Sequence, residues 1–206
     1  MKQDDIFTVI NIREYLKKNA DDEEQFGEDT LRQLLSEFSC EKNQDVEDFL
    51  KRQAIDFTNK NQSVTYLVFA TDDAQLLGYF ALTIKPITVS GEPFSNMVRK
   101  KLSRVSTLNE EEHTYSLAAY LIAQLGKNYA DGANERITGA ELLGLAVNQI
   151  ELLQYQAGGM VIFLEANNED KLLSFYGNNR FQPFDRRTAE KKDKQPHELI
   201  QLLRLL

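Results

Sequence analysis

The stretch from Tyr115 to Glu165 sets the tightest limits on how this chain folds. Tyr115 to Gly126 is a long apolar run that reads as a buried central strand, although its alanines keep a helix open as the alternative. Thr138 and Glu141 then have the spacing of a capping box, an N-cap hydroxyl followed three residues later by a carboxylate. Leu142, Ala146, Ile150 and Leu153 recur on one face of the helix that follows, and Gly158-Gly159 ends it. Met160 to Glu165 is a second buried strand, and Asp170 to Tyr176 a short helix. Phe181 to Phe184 and Leu199 to Leu206 complete the pattern as strands, with a charged loop from Asp185 to Lys194 between them. This half of the chain therefore reads strand, loop, helix, strand, helix, strand, the order of an α/β domain.

Upstream the hydrophobic period is helical. Leu31, Leu34, Leu35 and Phe38 share one helical face, and Val46, Phe49, Leu50, Ala54 and Phe57 share another. The opening region is accordingly read as helices, with residues 1–44 a helical N-terminal extension of a single domain spanning 1–206. The period changes at Val64. Val64 to Ala70 and Leu77 to Ile84 are rich in β-branched and aromatic residues, and Asp72-Asp73 between them predicts an antiparallel hairpin. From Pro86 to His113 the pattern is irregular: Ser90-Gly91-Glu92-Pro93 is turn-like, and Met97 to Leu102 suits a short helix.

Several function classes are excluded or disfavoured. Cys40 is the only cysteine, so no intrachain disulfide or thiolate metal cluster can form, and with two isolated histidines, His113 and His197, no metal site is expected. No run approaches the roughly 20 apolar residues of a membrane helix, and the N-terminus has no apolar signal core; a cytoplasmic protein is expected. The net charge of −8 argues against nucleic acid as a partner. The local basic runs, Arg99 to Lys101 and Arg186-Arg187, read as solvated surface.

Two segments carry a family resemblance. One is Asn134-Glu-Arg-Ile137-Thr-Gly139 before the capped helix; the other is Leu172-Leu-Ser-Phe-Tyr176-Gly-Asn-Asn-Arg180-Phe181. Together with the strand order they resemble the GNAT N-acetyltransferases, over about residues 46 to 206. In the first segment only Gly139 matches the family's phosphate loop: Asn134 stands for a Gln or Arg, and Ile137 for a Gly. In the second, Arg180 stands where Gly is usual, so the helix is expected to end through Asn178 or Asn179, residues that tolerate left-handed angles.

The resemblance implies a mixed, mostly antiparallel sheet with a splayed central parallel pair and flanking helices. It implies acetyl-CoA as cosubstrate, held by Gln124, Leu125, Gly126 and Lys127 at the strand end. Asn134, Thr138, Gly139 and Ala140 would lie at the pyrophosphate, because a helix N-terminus is an anion site. Glu141 opposes an anion there, and Lys127 and Arg136 are the charges available to offset it. Asn168 would contact the cofactor or, with Asn167, cap the next helix. Tyr176 would act as general acid to the departing thiolate. No base is assigned; Glu165, Glu110 to Glu112 and His113 are the available groups. The implied activity is transfer of acetyl to a primary amine of a small molecule or protein. The alternatives are a coenzyme A-binding domain without turnover, or a toxin-type transferase acting on aminoacyl-tRNA. Oligomeric state is not readable.

Overall fold

The change of hydrophobic period near Val64 marks the passage from helices to sheet in the structure, a computed structural model. It describes residues 6–17, 27–90, 94–191 and 194–206, and the side chains of 190, 191 and 194–196 lie outside the description. The turn expected at 91–93 also lies outside it. The elements run β1 (Phe7–Asn11), α1 (Arg13–Leu16), α2 (Glu28–Ser36), α3 (Gln44–Asp48), a π-helical segment (Phe49–Gln53), α4 (Ala54–Asn59), β2 (Val64–Ala70) and β3 (Leu76–Ser90). There follow α5 (Asn96–Leu102), β4 (Leu108–Asn109), β5 (Thr114–Lys127), a 3-10 segment (Ala130–Glu135), α6 (Gly139–Ala157), β6 (Val161–Asn167), α7 (Asp170–Asn178), β7 (Gln182–Lys191) and β8 (Lys194–Leu205).

The strands are hydrogen-bonded in the order β1-β2-β3-β5-β6-β8-β7, with β4 beside β5. One pair, β5 with β6, is parallel, and its ladder is short: Tyr120 faces Ile162 and Leu121 faces Phe163. The expected mixed, mostly antiparallel sheet with one parallel pair is therefore present. The Tyr115–Gly126 run is a strand, not a helix. Its buried residues alternate from Tyr115 through Leu117 to Ala119, the period of a pleat.

Backbone contacts divide the chain into two units, Met1–Thr83 with Ile122–Asn148, and Ile84–Leu121 with Gln149–Leu206. In the first unit, Leu31 and Leu35 of α2, Phe38, Val46, Phe49, Leu50 and Ala54 form a core with Leu67, Phe69 and Tyr79. The two helical faces foreseen in the sequence are the faces buried. Asn43 caps α3, its side chain accepting from the amides of Asp45 and Val46. The helix is widened at Phe49–Gln53, and the buried Tyr79 hydroxyl donates to the Val46 carbonyl at 2.6 Å. A β-carbon on Gly126 would lie 2.3 Å from Val46 Cγ1, so only glycine admits this helix so close to β5.

The second unit has its own core of Ile87, Val89, Phe94, Leu102, Tyr115, Leu117, Val161, Phe163 and Leu203. Leu102 anchors α5, and Ser95 caps it by accepting from the Val98 amide. Gly158 and Gly159 both adopt positive φ, as the end of α6 requires, and a side chain on Gly159 would meet the Tyr120 ring at 2.8 Å.

Three expectations are corrected. The opening region is not all helix: β1 pairs antiparallel with β2, Phe7 facing Ala70 and Asn11 facing Tyr66. Its five residues are too few for a period to stand out. Second, β3 continues through Pro86 to Ser90; Pro86 is tolerated because it lies exposed on the strand. Third, the charged segment from Asp185 is a strand rather than a loop. β7 pairs with β8 from Gln182 opposite Leu203 to Lys191 opposite Lys194, with bulges at Pro183/Asp185 and Ala189/Lys191. As the last strand of the sheet it has one free edge, and charge is what such an edge carries. No helix among the described residues is long and apolar enough to cross a membrane.

Candidate functional site

The residues singled out in the sequence fall into two groups, each within one unit. In the first unit they gather where β5 ends and α6 begins. The capping box is formed: the Glu141 amide donates to Thr138 Oγ1 at 3.1 Å, and the Thr138 amide donates to Glu141 Oε2 at 2.7 Å. The Thr138 hydroxyl donates to the same oxygen at 2.7 Å. These bonds, with the nearby Lys127 ammonium, hold the Glu141 carboxyl below the usual glutamate range. Lys127 donates to the carbonyl of Asn134. Burial and the neighbouring Lys42 hold the Lys127 ammonium below the usual lysine range, while Glu141 works the other way. Lys42 lies 4.9 Å above the Tyr129 ring.

Arg136 does not offset Glu141. Its guanidinium is taken by Asp72 at 2.6 Å and by Asp73 and Gln75 at 2.7 Å each, which ties the turn before α6 to the β2–β3 turn. Arg136 holds the Asp73 carboxyl below its ordinary range. The turn itself passes through Asp131 and Gly132, both with left-handed φ. Gln124 and Leu125 are half-buried, and Gly126 is buried where its missing side chain serves the core. Gly139 and Ala140 open α6.

Asn128 is a buried polar residue that the sequence reading passed over. Its amide donates to Leu77 O at 2.8 Å, its side-chain nitrogen donates to Leu76 O at 2.8 Å, and its side-chain oxygen accepts from the amides of Ser39 at 2.9 Å and Ala130 at 3.1 Å. Position alone gives it away, since an asparagine just past an apolar strand reads as a turn.

In the second unit the group lies on α7, β6 and the hairpin. Tyr176 is half-buried on α7, its ring edge-on to Phe175 (5.0 Å) and to Phe181 (5.9 Å). Its hydroxyl has no hydrogen-bond partner among the described residues, and burial pushes it up to about 12. The helix end is not made by Asn178 or Asn179. Arg180 takes the left-handed place (φ 69°), its amide donating to Gly177 O and that of Phe181 to Tyr176 O, each at 3.0 Å. This is a Schellman cap with arginine where glycine is usual, closed by the Tyr176–Phe181 contact. Asn179 instead donates from its side chain to Phe175 O.

Neither Asn167 nor Asn168 caps α7. Its N-cap is Glu169, without a side-chain cap bond, and Asn168 donates to Glu198 Oε2 at 2.6 Å on the adjoining strand. Glu165 is committed as well: Arg187 Nε reaches its Oε1 at 2.6 Å, and Gln201 donates to the same oxygen at 2.8 Å. His113 and Glu110 to Glu112 are exposed in the turn before β5.

Neither a protein-family profile nor a curated protein sequence matches the chain. Solved structures do. A tyrosine-to-phenylalanine mutant of the AtaT toxin superposes with a TM-score of 0.59 at 16% identity, covering 98% of this chain and 90% of its own. AtaT complexed with acetyl-methionyl-tRNAfMet gives 0.59 at 17%, covering 94% and 93%. A tyrosine-to-phenylalanine mutant of KacT gives 0.59 at 15%, covering 95% and 94%. At these identities the likeness speaks for architecture, and with the strand order and the single parallel pair it establishes one thing: the chain has the GNAT-type fold.

Proposed function

We propose that this chain is an acetyl-CoA-dependent N-acetyltransferase whose acceptor is a primary amine of a small molecule or protein. The observation that carries the reading is Tyr176, an aromatic hydroxyl held half-buried between two phenylalanines with no internal partner among the described residues, on the helix where the family resemblance places a proton donor. Unlike the hydroxyls of Thr58, Ser63 and Thr65, which are fully buried without a partner, that of Tyr176 stays within reach of a group from outside the fold.

Under this reading the acceptor nitrogen forms a bond to the acetyl carbon, the carbon–sulfur bond breaks, and the amine gives up a proton. Tyr176 donates its proton to the departing thiolate, and the proton released by the amine, passed on through water, restores the tyrosine. Backbone N–H groups near Leu125 would stabilise the oxyanion. At α6 the residues fit the pyrophosphate in part. Glu141 already occupies the Thr138 amide, which leaves the amides of Gly139 and Ala140 and the Lys127 ammonium to receive phosphate. Gln124, Gly126, Asn134 and Asn168 complete the proposed contact set.

A second acceptor class is favoured by the neighbours: AtaT was solved with acetyl-methionyl-tRNAfMet, and AtaTR with AcCoA. The acidic balance that argued against nucleic acid does not decide the question, because a protein of the same fold has been solved with a tRNA. An aminoacyl-tRNA also presents a primary amine, so the chemistry assigned to Tyr176 is the same for both acceptors.

Acetyl-CoA binding is the test. At a hundredfold excess over its dissociation constant the ligand should stabilise the fold by about 2.7 kcal/mol, a measurable rise in Tm. The absence of both heat in calorimetry and a Tm shift at millimolar acetyl-CoA would sink the reading. Binding without turnover on amines or aminoacyl-tRNA would leave a coenzyme A-binding domain, the role to which Glu141 at the helix start would suit it.

A further inference from the structure

We infer that the exposed face of α5 and the turn after it form a landing surface for the phosphate backbone of RNA; the inference rests on the aminoacyl-tRNA reading above. Arg99, Lys100, Lys101 and Arg104 put four cations into six residues of a chain whose net charge is −8. The helix is fixed by its other side: Leu102 is fully buried and Val98 packs on the core of the second unit. Helical spacing then sets Met97 and Lys100 on the opposite side, where Met97 is 74% exposed; Arg99 and Arg104 are exposed as well, and Lys101 is half-buried on the flank. The Ser95 cap and the carbonyl of Arg99, which accepts from the Ser103 amide, hold both ends of this short helix.

Several cations elsewhere in the chain have carboxylate partners, while Arg13 bonds to Asn61 and Lys127 to a backbone carbonyl. Arg32 pairs with Glu28, Lys51 with Glu47, Lys60 with Asp56, Arg136 with Asp72 and Asp73, and Arg187 with Glu165. None of the four on and after α5 faces a carboxylate among the described residues; Arg99 makes one bond, to Asn96 Oδ1 at 2.6 Å. The exposed acids that follow, Glu110 to Glu112, lie in a turn closed by Asn109, whose side chain accepts from the amides of Glu111 and Glu112, and none of them pairs with the four cations. A run of unpaired cations on an otherwise acidic surface is the electrostatic footprint of a phosphate track. A lipid surface is the poorer match, since about two turns of helix with Met97 and, in the turn after it, Val105 as outward apolar residues offer little area to bury.

The experiment is fluorescence anisotropy of labelled, deacylated bulk tRNA with the full chain over a range of salt, beside acetyl-CoA calorimetry on the same proteins. Lys100→Gln with Arg104→Gln should weaken tRNA binding several-fold at about 100 mM salt and lower the slope of log K against log salt by about 1.5. A variant with the same charge change, Arg32→Gln with Arg52→Gln, should bind like the wild type. Acetyl-CoA should bind all three alike. Equal weakening in both variants would reduce the effect to net charge and overturn the inference. So would a wild type that binds acetyl-CoA but no tRNA, a result that leaves the transferase reading standing. Loss of binding to anionic vesicles in the α5 variant, with tRNA binding unchanged, would assign the surface to lipid and overturn it too.

Discussion

The start of α6 and the end of α7 are built in opposite ways. At α6 the polar groups are answered from within: Glu141 by Thr138, Lys127 by Asn134, Arg136 by Asp72 and Asp73, and the strand end before it by Asn128. At α7 the backbone is fully capped through Arg180 and Phe181, yet the Tyr176 hydroxyl is answered by nothing described in the fold. The difference separates groups that hold a shape from a group held by it. A residue whose every bond is internal is explained by stability; a hydroxyl left unbonded within reach of solvent is free to meet a partner from outside.

Tyr176→Phe breaks the comparison most sharply, because it keeps the ring and removes the proton. The turnover number should fall by roughly 10²–10⁴ with acetyl-CoA affinity nearly unchanged. Unaltered turnover on a true acceptor would make Tyr176 a packing residue like its neighbours. The same variant has a pH signature. Because the folded hydroxyl is raised to about 12, above the reference value near 10, its contribution to stability is full below pH 10 and is lost as pH rises through 12. Wild type should therefore lose on the order of 2 kcal/mol across that window that the phenylalanine variant does not lose.

Asn128→Ala tests the other side. It strands the carbonyl of Leu76 and the amides of Ser39 and Ala130, and should cost about 2–4 kcal/mol in chemical denaturation. A loss of activity without loss of stability would show that Asn128 serves the reaction instead. The smallest effect belongs to Arg180→Gly, which relieves a left-handed arginine and should raise stability by about 1 kcal/mol with kcat unchanged. A fall in kcat would mean that the cap was tuned to aim Tyr176, and would blur the line between the two helix ends.

Much of this architecture is legible in the sequence because it rests on local chemistry. The capping box at Thr138, the glycine stop at Gly158-Gly159 and the burial of Leu31, Leu35, Val46 and Leu50 follow from spacing alone. What escaped depends on residues far apart in the chain. Arg136 reads as a spare charge until Asp72 and Asp73 are brought beside it, and Glu165 reads as a possible base until Arg187 and Gln201 close on it. The strand from Asp185 was hidden because charge at a sheet edge resembles charge in a loop. The role proposed for Tyr176 came only through the family resemblance; its pattern alone is that of a core aromatic.

β1 has a consequence beyond its five residues. It is the first strand of the sheet, and behind it β2 is buried from Thr65 to Ala70. Without β1, that apolar strand would present a bare row of amides and carbonyls to solvent, a template for pairing with other copies. Loosening β1 would then register first as self-association in the tube, at concentrations where the rest of the fold still holds.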